Sequence, residues 1–271
     1  MWIRMIAIDL DGTLLHDDMT ISEYSRHVIR QAIDRGYRIV VATGRMWDSA
    51  RAKASVLHLG NVPLICYTGA WIMMSETGEP LMQEGLNPWL ASEILMESRS
   101  RGWYATSFMD DMIYMDKPDG TEVKYRKYRS KEPVFVGEKF YHPEKIVTRI
   151  VFSDPLEAKR REIRQVIEEK FGRWVDVVFP GDDFVDIHKK GINKAEAVRF
   201  LCEKEGILPE EIMVFGNTEN DVSLLRMAGF SYAVANGDKV ARKAARFLCP
   251  SNEEDGVAQV IEKLLAGALE V

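Results

Sequence analysis

The 271-residue chain has only three cysteines, no apolar run of membrane-spanning length, no low-complexity tract and no internal repeat. Each absence removes a class of protein. Cys66, Cys202 and Cys249 are widely spaced and lie in or beside apolar segments, which fits neither a disulfide framework nor the paired spacing of a zinc site. They read as buried thiols in a reducing compartment. No stretch reaches the roughly 20 apolar residues that a transmembrane helix needs, and two aspartates arrive before a signal-peptide core could form. The expected location is the cytoplasm. Positive charge is outnumbered, 36 Lys and Arg against 42 Asp and Glu. The net charge of −6 argues against nucleic acid and anionic membranes as partners, and nothing implies a protein partner. Hydrophobic content of 46% and charged content of 29% exclude a disordered chain. The length suffices for one large or two ordinary domains, each with its own core.

What is present starts with two charges in an awkward place. Met5-Ile6-Ala7-Ile8 reads as a short, fully buried strand, and Asp9 and Asp11 follow it directly, closed by a turn signal at Gly12. Carboxylates at the end of a buried strand are costly unless a cation or strong donors meet them. The pair therefore points to a place where a metal and a phosphate come together; a plain turn with a cap is the competing reading of this segment alone.

Short apolar runs then alternate with helical spacing. Thr20 and Glu23 predict a capping box for a helix carrying Tyr24, Val28, Ala32 and Ile33, which Gly36 ends. Residues 37–42 read as a second buried strand, a helix follows Thr43-Gly44-Arg45 to about residue 57, and 63–67 form a third strand. The rhythm returns late, with a helix over 194–205 stopped by Gly206, strands over 212–215 and 232–235, and helices over 221–228 and 257–265. Such alternation predicts a parallel sheet with helices on both faces. Between these halves the texture changes. A hairpin over 71–82 around Gly78 precedes a helix from Asn87-Pro88 to Gly102. Paired strands over 103–108 and 112–115 follow, then strand, helix and strand over 146–152, 155–171 and 174–179, and an alternating, half-exposed strand over 184–188. Residues 84–189 are accordingly expected to be an inserted domain of antiparallel character, which leaves a discontinuous α/β core domain, 1–83 and 190–271.

Four signals fall at strand ends of the same expected sheet, where ligands of open parallel sheets collect. Asp9 and Asp11 follow the first strand and Thr43 and Gly44 the second. Lys194 opens a helix after Gly191-Ile192-Asn193, and Gly216-Asn217-Thr218-Glu219-Asn220-Asp221 follows the strand over 212–215. In this order, with a domain-sized insert between the second and third, the set resembles the haloacid dehalogenase superfamily of hydrolases, and within it the Cof-like group with an inserted α/β cap (type IIB). The likeness extends to the tail Ser251-Asn252-Glu253-Glu254-Asp255-Gly256-Val257. The resemblance implies a Rossmann-like parallel-sheet α/β core with an inserted α+β cap that closes over the site. It implies a Mg²⁺-dependent phosphatase acting on a small phosphorylated metabolite, a sugar phosphate or related phosphomonoester, through an aspartyl-phosphate.

On that resemblance Asp9 is the nucleophile and Asp11 the acid/base that serves the leaving oxygen and then the water. Thr13 steadies the loop or orients Asp11. Thr43 and Gly44 hold phosphate oxygens near a helix N-terminus, and Lys194 neutralises nucleophile and phosphate. Lys194 could otherwise be a surface lysine in a first helical turn, a placement the helix dipole disfavours. Asn220 positions phosphate or the Lys194 amine, or caps a helix. The metal ligands are Asp9, Asp11, Asn217 and Asp221. Asn217 stands where the family pattern has an aspartate. Its amide oxygen can still meet a hard cation, but without negative charge, and Asp221 then supplies charge from behind or through water. The alternatives are a catalytically weak or inactive phosphometabolite-binding protein and a phosphosugar mutase. A second departure is Thr68 before Gly69, where the resemblance leads to asparagine. His188, Lys189 and Lys190 read as an exposed strand end. Trp103, Tyr104, Trp174 and Phe179 read as cap core. The basic run over 124–131 reads as a solvated face, with recruitment of an anionic substrate as the functional alternative.

Overall fold

A computed structural model describes residues 3–118, 120, 131–179 and 183–269, so the basic run over 124–130 lies outside the described residues. Their elements begin with β1 (Met5–Ile8), α1 (Glu23–Asp34), β2 (Arg38–Ala42), α2 (Trp47–Ala54), β3 (Pro63–Cys66), β4 (Trp71–Met74) and β5 (Pro80–Gln83). Then come α3 (Pro88–Arg101), β6 (Ala105–Met109), β7 (Met112–Met115), β8 (Val134–Phe135), β9 (Arg149–Ser153), α4 (Glu157–Phe171), β10 (Val175–Val178) and β11 (Phe184–Lys189). The chain closes with α5 (Lys194–Glu205), β12 (Ile212–Gly216), α6 (Val222–Met227), β13 (Phe230–Val234), α7 (Lys239–Ala244), β14 (Phe247–Cys249) and α8 (Gly256–Leu265). They divide into two compact units. The first comprises Met1–Gly44, Ala50–Leu81 and Asn193–Val271, and the second Arg45–Ser49 and Met82–Ile192.

The first unit is built on a sheet of strand order β14-β13-β12-β1-β2-β3-β4-β5. β1 pairs in parallel with β12 on one side and β2 on the other. It is therefore the buried centre, and its four residues are all fully buried, as the unbroken apolar run requires. The register sets Ile8 level with both Phe215 and Val41, so Asp9, Thr43 and Asn217 all emerge from the same carboxyl edge. β3 and β4 pair antiparallel. The helices pack in two groups, α1 against α8, and α5, α6 and α7 in succession.

Helix α1 starts one signal later than its sequence predicts. Ser22, not Thr20, is the N-cap and accepts from the Ser25 amide at 2.9 Å, because Thr20 is drawn to Asp18, donating to its Oδ1 from both amide and hydroxyl. Strand β14 and helix α7 went unread in the sequence; both are short, and α7 is mostly polar. The thiols of Cys202 and Cys249 are pushed up to about 11 and about 12, first by burial, and are inert at neutral pH.

The second unit carries a sheet of order β10-β11-β9-β6-β7-β8, antiparallel except where β7 meets β8. One face packs Ile150, Phe152, Val177, Val185 and Ile187 against Leu90, Ile94 and Leu95 of α3 and Ile163 and Ile167 of α4. Asn87 caps α3 by accepting from the Leu90 amide, and Gly102 ends it in the left-handed conformation, as their sequence predicts. Trp103 joins this core edge-on to Phe152 and Phe179 packs against it, whereas Tyr104 and Trp174 are 49% and 44% exposed and are not core. Each stands one position before its strand, β6 or β10.

The opposite face departs further from expectation. His188 and Asp186 are 1% and 2% exposed, so β11 is buried on both faces and His188 is not an exposed strand end. Arg149, from the adjacent strand, makes a 2.9 Å ion pair with Asp186 and lies over the Phe108 ring at 4.5 Å. Burial pushes the Asp186 carboxyl up, but the Arg149 guanidinium and the His188 ring 3.6 Å away overcome it and hold the group below its ordinary range. A lowered native pKa contributes stability above about pH 4 that is lost as the pH falls. Asp186→Asn should therefore cost about 3 kcal/mol in urea denaturation at neutral pH, by leaving the guanidinium without this carboxylate. The loss should shrink towards acid pH; a variant as stable as the parent at pH 7 removes the pair from the account.

Candidate active site

Lys194 is the residue around which the site is organised. It occupies the first turn of α5, where Asn193 is the N-cap and accepts from the Glu196 amide at 3.1 Å. It is fully buried, which rules out the surface reading. Its Nζ donates to Asp9 Oδ1 at 2.7 Å and Asp221 Oδ1 at 2.6 Å. A lysine at a helix N-terminus opposes the dipole, and burial depresses an ammonium. The carboxylates of Asp221 and Asp9 outweigh both, so the Lys194 pKa is raised and the group stays charged. Close approach at Gly69 seats the start of this helix against the β3 turn. A Cβ on Gly69 would lie 2.3 Å from the Asn193 carbonyl oxygen, and its φ is +107°.

Asp9 is buried at the β1 edge, where its amide donates to the Phe215 carbonyl at 3.1 Å. Thr13 Oγ1 donates to Asp9 Oδ2 at 3.2 Å. Thr13 thus serves Asp9. Burial pushes the Asp9 carboxyl up to about 7, with the charges of Asp221 and Asp11 adding to the effect against the pull of Lys194. Three carboxylates face one ammonium here, and the surplus negative charge is what a cation would relieve.

The loop after β12 is held by Asp221. Its Oδ2 accepts from the amides of Asn217 at 2.9 Å and Thr218 at 3.1 Å, while Oδ1 meets Lys194. Both oxygens of Asp221 therefore have partners within the protein. Asn217 is half-buried, and its Nδ2 is the side-chain atom nearest Gly12, 2.5 Å from where a Cβ would be. A side chain at Gly12 would displace it, and Gly12 also has φ +68°. Asn220 is buried within the one-turn helix over Glu219–Asp221, so it is not a cap. Its Oδ1 accepts from the Thr218 hydroxyl at 2.9 Å, which leaves the amide nitrogen directed elsewhere, beside Gly44.

Thr43 is fully buried at the β2 edge, with its amide on the Ile65 carbonyl and its carbonyl taking the Thr68 amide. Within the second unit, the first residues of α2 are tied to a distant turn. The amides of Trp47 and Asp48 donate to Asp111 Oδ1 and Oδ2 at 2.9 and 3.2 Å. The carboxylate at that helix N-terminus is the protein's own, tied in turn to Lys131 at 3.1 Å. Asp111 was legible only as half of a turn, Asp110-Asp111, both of which have positive φ.

Three further residues support the loop after Asp11. Asn236 donates from Nδ2 to the Gly12 carbonyl at 2.8 Å, and Asn252 from Nδ2 to the Leu15 carbonyl at 2.9 Å. Asp255 Oδ1 gathers the hydroxyls of Ser22 and Ser25 at 2.6 and 2.8 Å and the His16 ring at 3.1 Å. The tail that resembles the family's thus braces the loop carrying the aspartates. Asn236 left no sequence signal beyond an Asn-Gly turn. Among the described residues no three His, Cys, Asp or Glu side chains form a metal site; the donor set facing Asp9 includes an amide instead.

The model of the haloacid dehalogenase-like hydrolase family matches residues 6–261. The chain is 28% identical over 261 residues to the 5-amino-6-(5-phospho-D-ribitylamino)uracil phosphatase YcsE of Bacillus subtilis, covering 96% of this chain and 94% of that one. It is 24% identical to the pyridoxal phosphate phosphatase YbhA of Escherichia coli, covering 96% and 98%. Among solved structures, TM0651 from Thermotoga maritima is similar with a TM-score of 0.81 and 28% identity, over 96% of this chain and 97% of that one.

The raised Asp9 pKa sets a pH dependence. Between about pH 4 and 7 the folded chain keeps a proton that the unfolded chain gives up. Stability in EDTA should therefore fall as the pH rises through that window. Asp9→Asn should flatten this limb of the Tm profile; an unchanged slope assigns the proton elsewhere.

Proposed function

The chain belongs to the haloacid dehalogenase-like hydrolase family, and on that premise we propose that it is a Mg²⁺-dependent phosphatase of a small phosphorylated metabolite, a sugar phosphate or related phosphomonoester. The observation that carries this reading is the buried Asp9–Lys194–Asp221 cluster at the carboxyl edge of the sheet, with Asp11 beside it. The substrate class is supported by relatives named for a ribitylamino-uracil phosphate and for pyridoxal phosphate.

Asp9 attacks phosphorus, forming the aspartyl-phosphate as the bond to the ester oxygen breaks. Lys194 pulls Asp9 towards its ionised form and aligns it, and Thr13 fixes its second oxygen. Asp11 gives its proton to the departing oxygen and then takes one from the water that attacks the aspartyl-phosphate. Thr43, Gly44 and Asn220 hold the non-bridging oxygens as discrete donors.

The donor set suits a hard cation. Asp9 and Asp11 offer carboxylate oxygens, and Asn217 offers an amide oxygen once its side chain turns by half a rotation. Asp221 acts from behind, through the Asn217 amide and through Lys194. Bound there, Mg²⁺ would neutralise the surplus charge that raises Asp9 and screen the nucleophile from the phosphate dianion.

Release of phosphate from p-nitrophenyl phosphate and from a panel of phosphorylated metabolites, with Mg²⁺ or EDTA, tests the assignment. Asp9→Asn should lower kcat by more than about 10³-fold and Asp11→Asn by about 10²–10⁴-fold, both with native circular dichroism. Turnover at the parent rate in Asp9→Asn removes the nucleophile. Interconversion of phosphosugar isomers without release assigns a mutase. Asn217→Asp restores one negative charge and should tighten Mg²⁺ about tenfold, or roughly 1.4 kcal/mol; identical metal dependence excludes Asn217 as a ligand.

A further inference from the structure

Three residues after β3 run through an unusual backbone. Tyr67, Thr68 and Gly69 have φ of +50°, +57° and +107°. The left-handed region suits glycine and is unfavourable for a β-branched threonine. The turn is nonetheless held from several sides. Tyr67 is fully buried and meets Trp71 edge-on at 5.2 Å, and the Thr68 amide donates to the Thr43 carbonyl at 3.0 Å. Thr68 itself is only 2% exposed, and its hydroxyl has no hydrogen-bond partner. A buried hydroxyl without a partner is a second unfavourable feature at the same residue. Strain and an orphaned donor coinciding at one position mark a functional constraint more often than a packing accident.

The direction of that hydroxyl says what it meets. Thr68 Oγ1 lies 3.4 Å from the point where a Cβ on Gly44 would stand, and Asn220 Nδ2 lies 3.6 Å from the same point. In this orientation Asn220 gives its oxygen to the Thr218 hydroxyl and turns its amide nitrogen towards the same point. A hydroxyl and an amide N–H₂ thus converge beside a glycine that leaves the space between them open. A hydroxyl without a partner and an amide N–H₂ turned to the same open space suit an oxyanion.

We propose that Thr68 is a further phosphate-binding residue, its hydroxyl donating to a phosphoryl oxygen that Asn220 Nδ2 also contacts beside Gly44. This rests on the phosphatase reading and adds a third strand end, that of β3, to the phosphate cradle. Thr68→Val keeps the shape and the β-branch and removes only the hydroxyl, while Thr68→Ser keeps the hydroxyl.

Binding of inorganic phosphate is measured by thermal shift and by inhibition of p-nitrophenyl phosphate hydrolysis, alongside KM and kcat. Thr68→Val should weaken phosphate inhibition and raise KM about tenfold, with kcat changed less than KM. Its Tm without phosphate should equal or exceed that of the parent, because a buried orphan has been removed. Thr68→Ser should restore phosphate binding to within about threefold. If the parent binds and hydrolyses normally and Thr68→Val does the same, the Thr68 assignment falls and the phosphatase reading stands. If the parent neither binds phosphate nor releases it, both fall. A Thr68→Val protein whose Tm drops and whose phosphate binding is not rescued in Thr68→Ser assigns a structural role to Thr68 and also overturns the proposal.

Discussion

One ammonium group ties the first unit's chemistry to its fold. Lys194 Nζ lies between a carboxylate at the end of β1 and another after β12, two strands that pair side by side. The charge is fully buried, so it persists only because both partners are in place. The partners persist because the central strand is apolar along its whole length and can stop nowhere but at Asp9. Everything else near the edge follows from satisfying this arrangement. Asp221 spends its second oxygen on two backbone amides, which shapes the loop that presents Asn217. The residue at 217 therefore sits in a backbone bend fixed by a neighbour, and exchanging its side chain alters charge without altering the bend.

The support is redundant in a particular way. The loop after Asp11 receives amide hydrogen bonds from two asparagines in separate late segments, and a single Asp255 oxygen collects three donors from the chain between the loop and α1. The two asparagines use neutral side chains on backbone carbonyls and so add no charge to a site already rich in it. The negative charge of Asp9, Asp11 and Asp221 stands where it bears on cation and phosphate chemistry.

Much of this was legible because it is locally anomalous. Carboxylates after a buried strand, and a lysine in a first helical turn, stand out against ordinary patterning. Asn87, Gly102 and Gly206 announced helix ends through residues whose caps are made within a few positions. What escaped depends on partners distant in the chain. The Thr13 bond to Asp9 depends on the fold of the loop, and Asp111 looked like a turn residue because its partners, Trp47 and Asp48, lie more than sixty positions earlier. Alternation in β11 suggested one wet face, but Arg149 and Phe108, two strands of the sheet, complete a buried ion pair there that no periodicity encodes. Thr20 and Ser22 are equivalent as signals, and Asp18 decided between them.

The 185 positions between Asp9 and Lys194 also impose an order of events during synthesis. At roughly 5–20 residues per second, the first carboxylates leave the ribosome some 10–40 s before the ammonium that neutralises them. The central strand cannot acquire its β12 neighbour until later still, since the partner begins at Ile212. Throughout that interval the inserted unit can complete its own sheet from contiguous sequence, while β1 can pair only on its β2 side. The nascent first unit is thus a half-sheet open along β1, and the last third of the chain supplies both the missing neighbour and the ammonium.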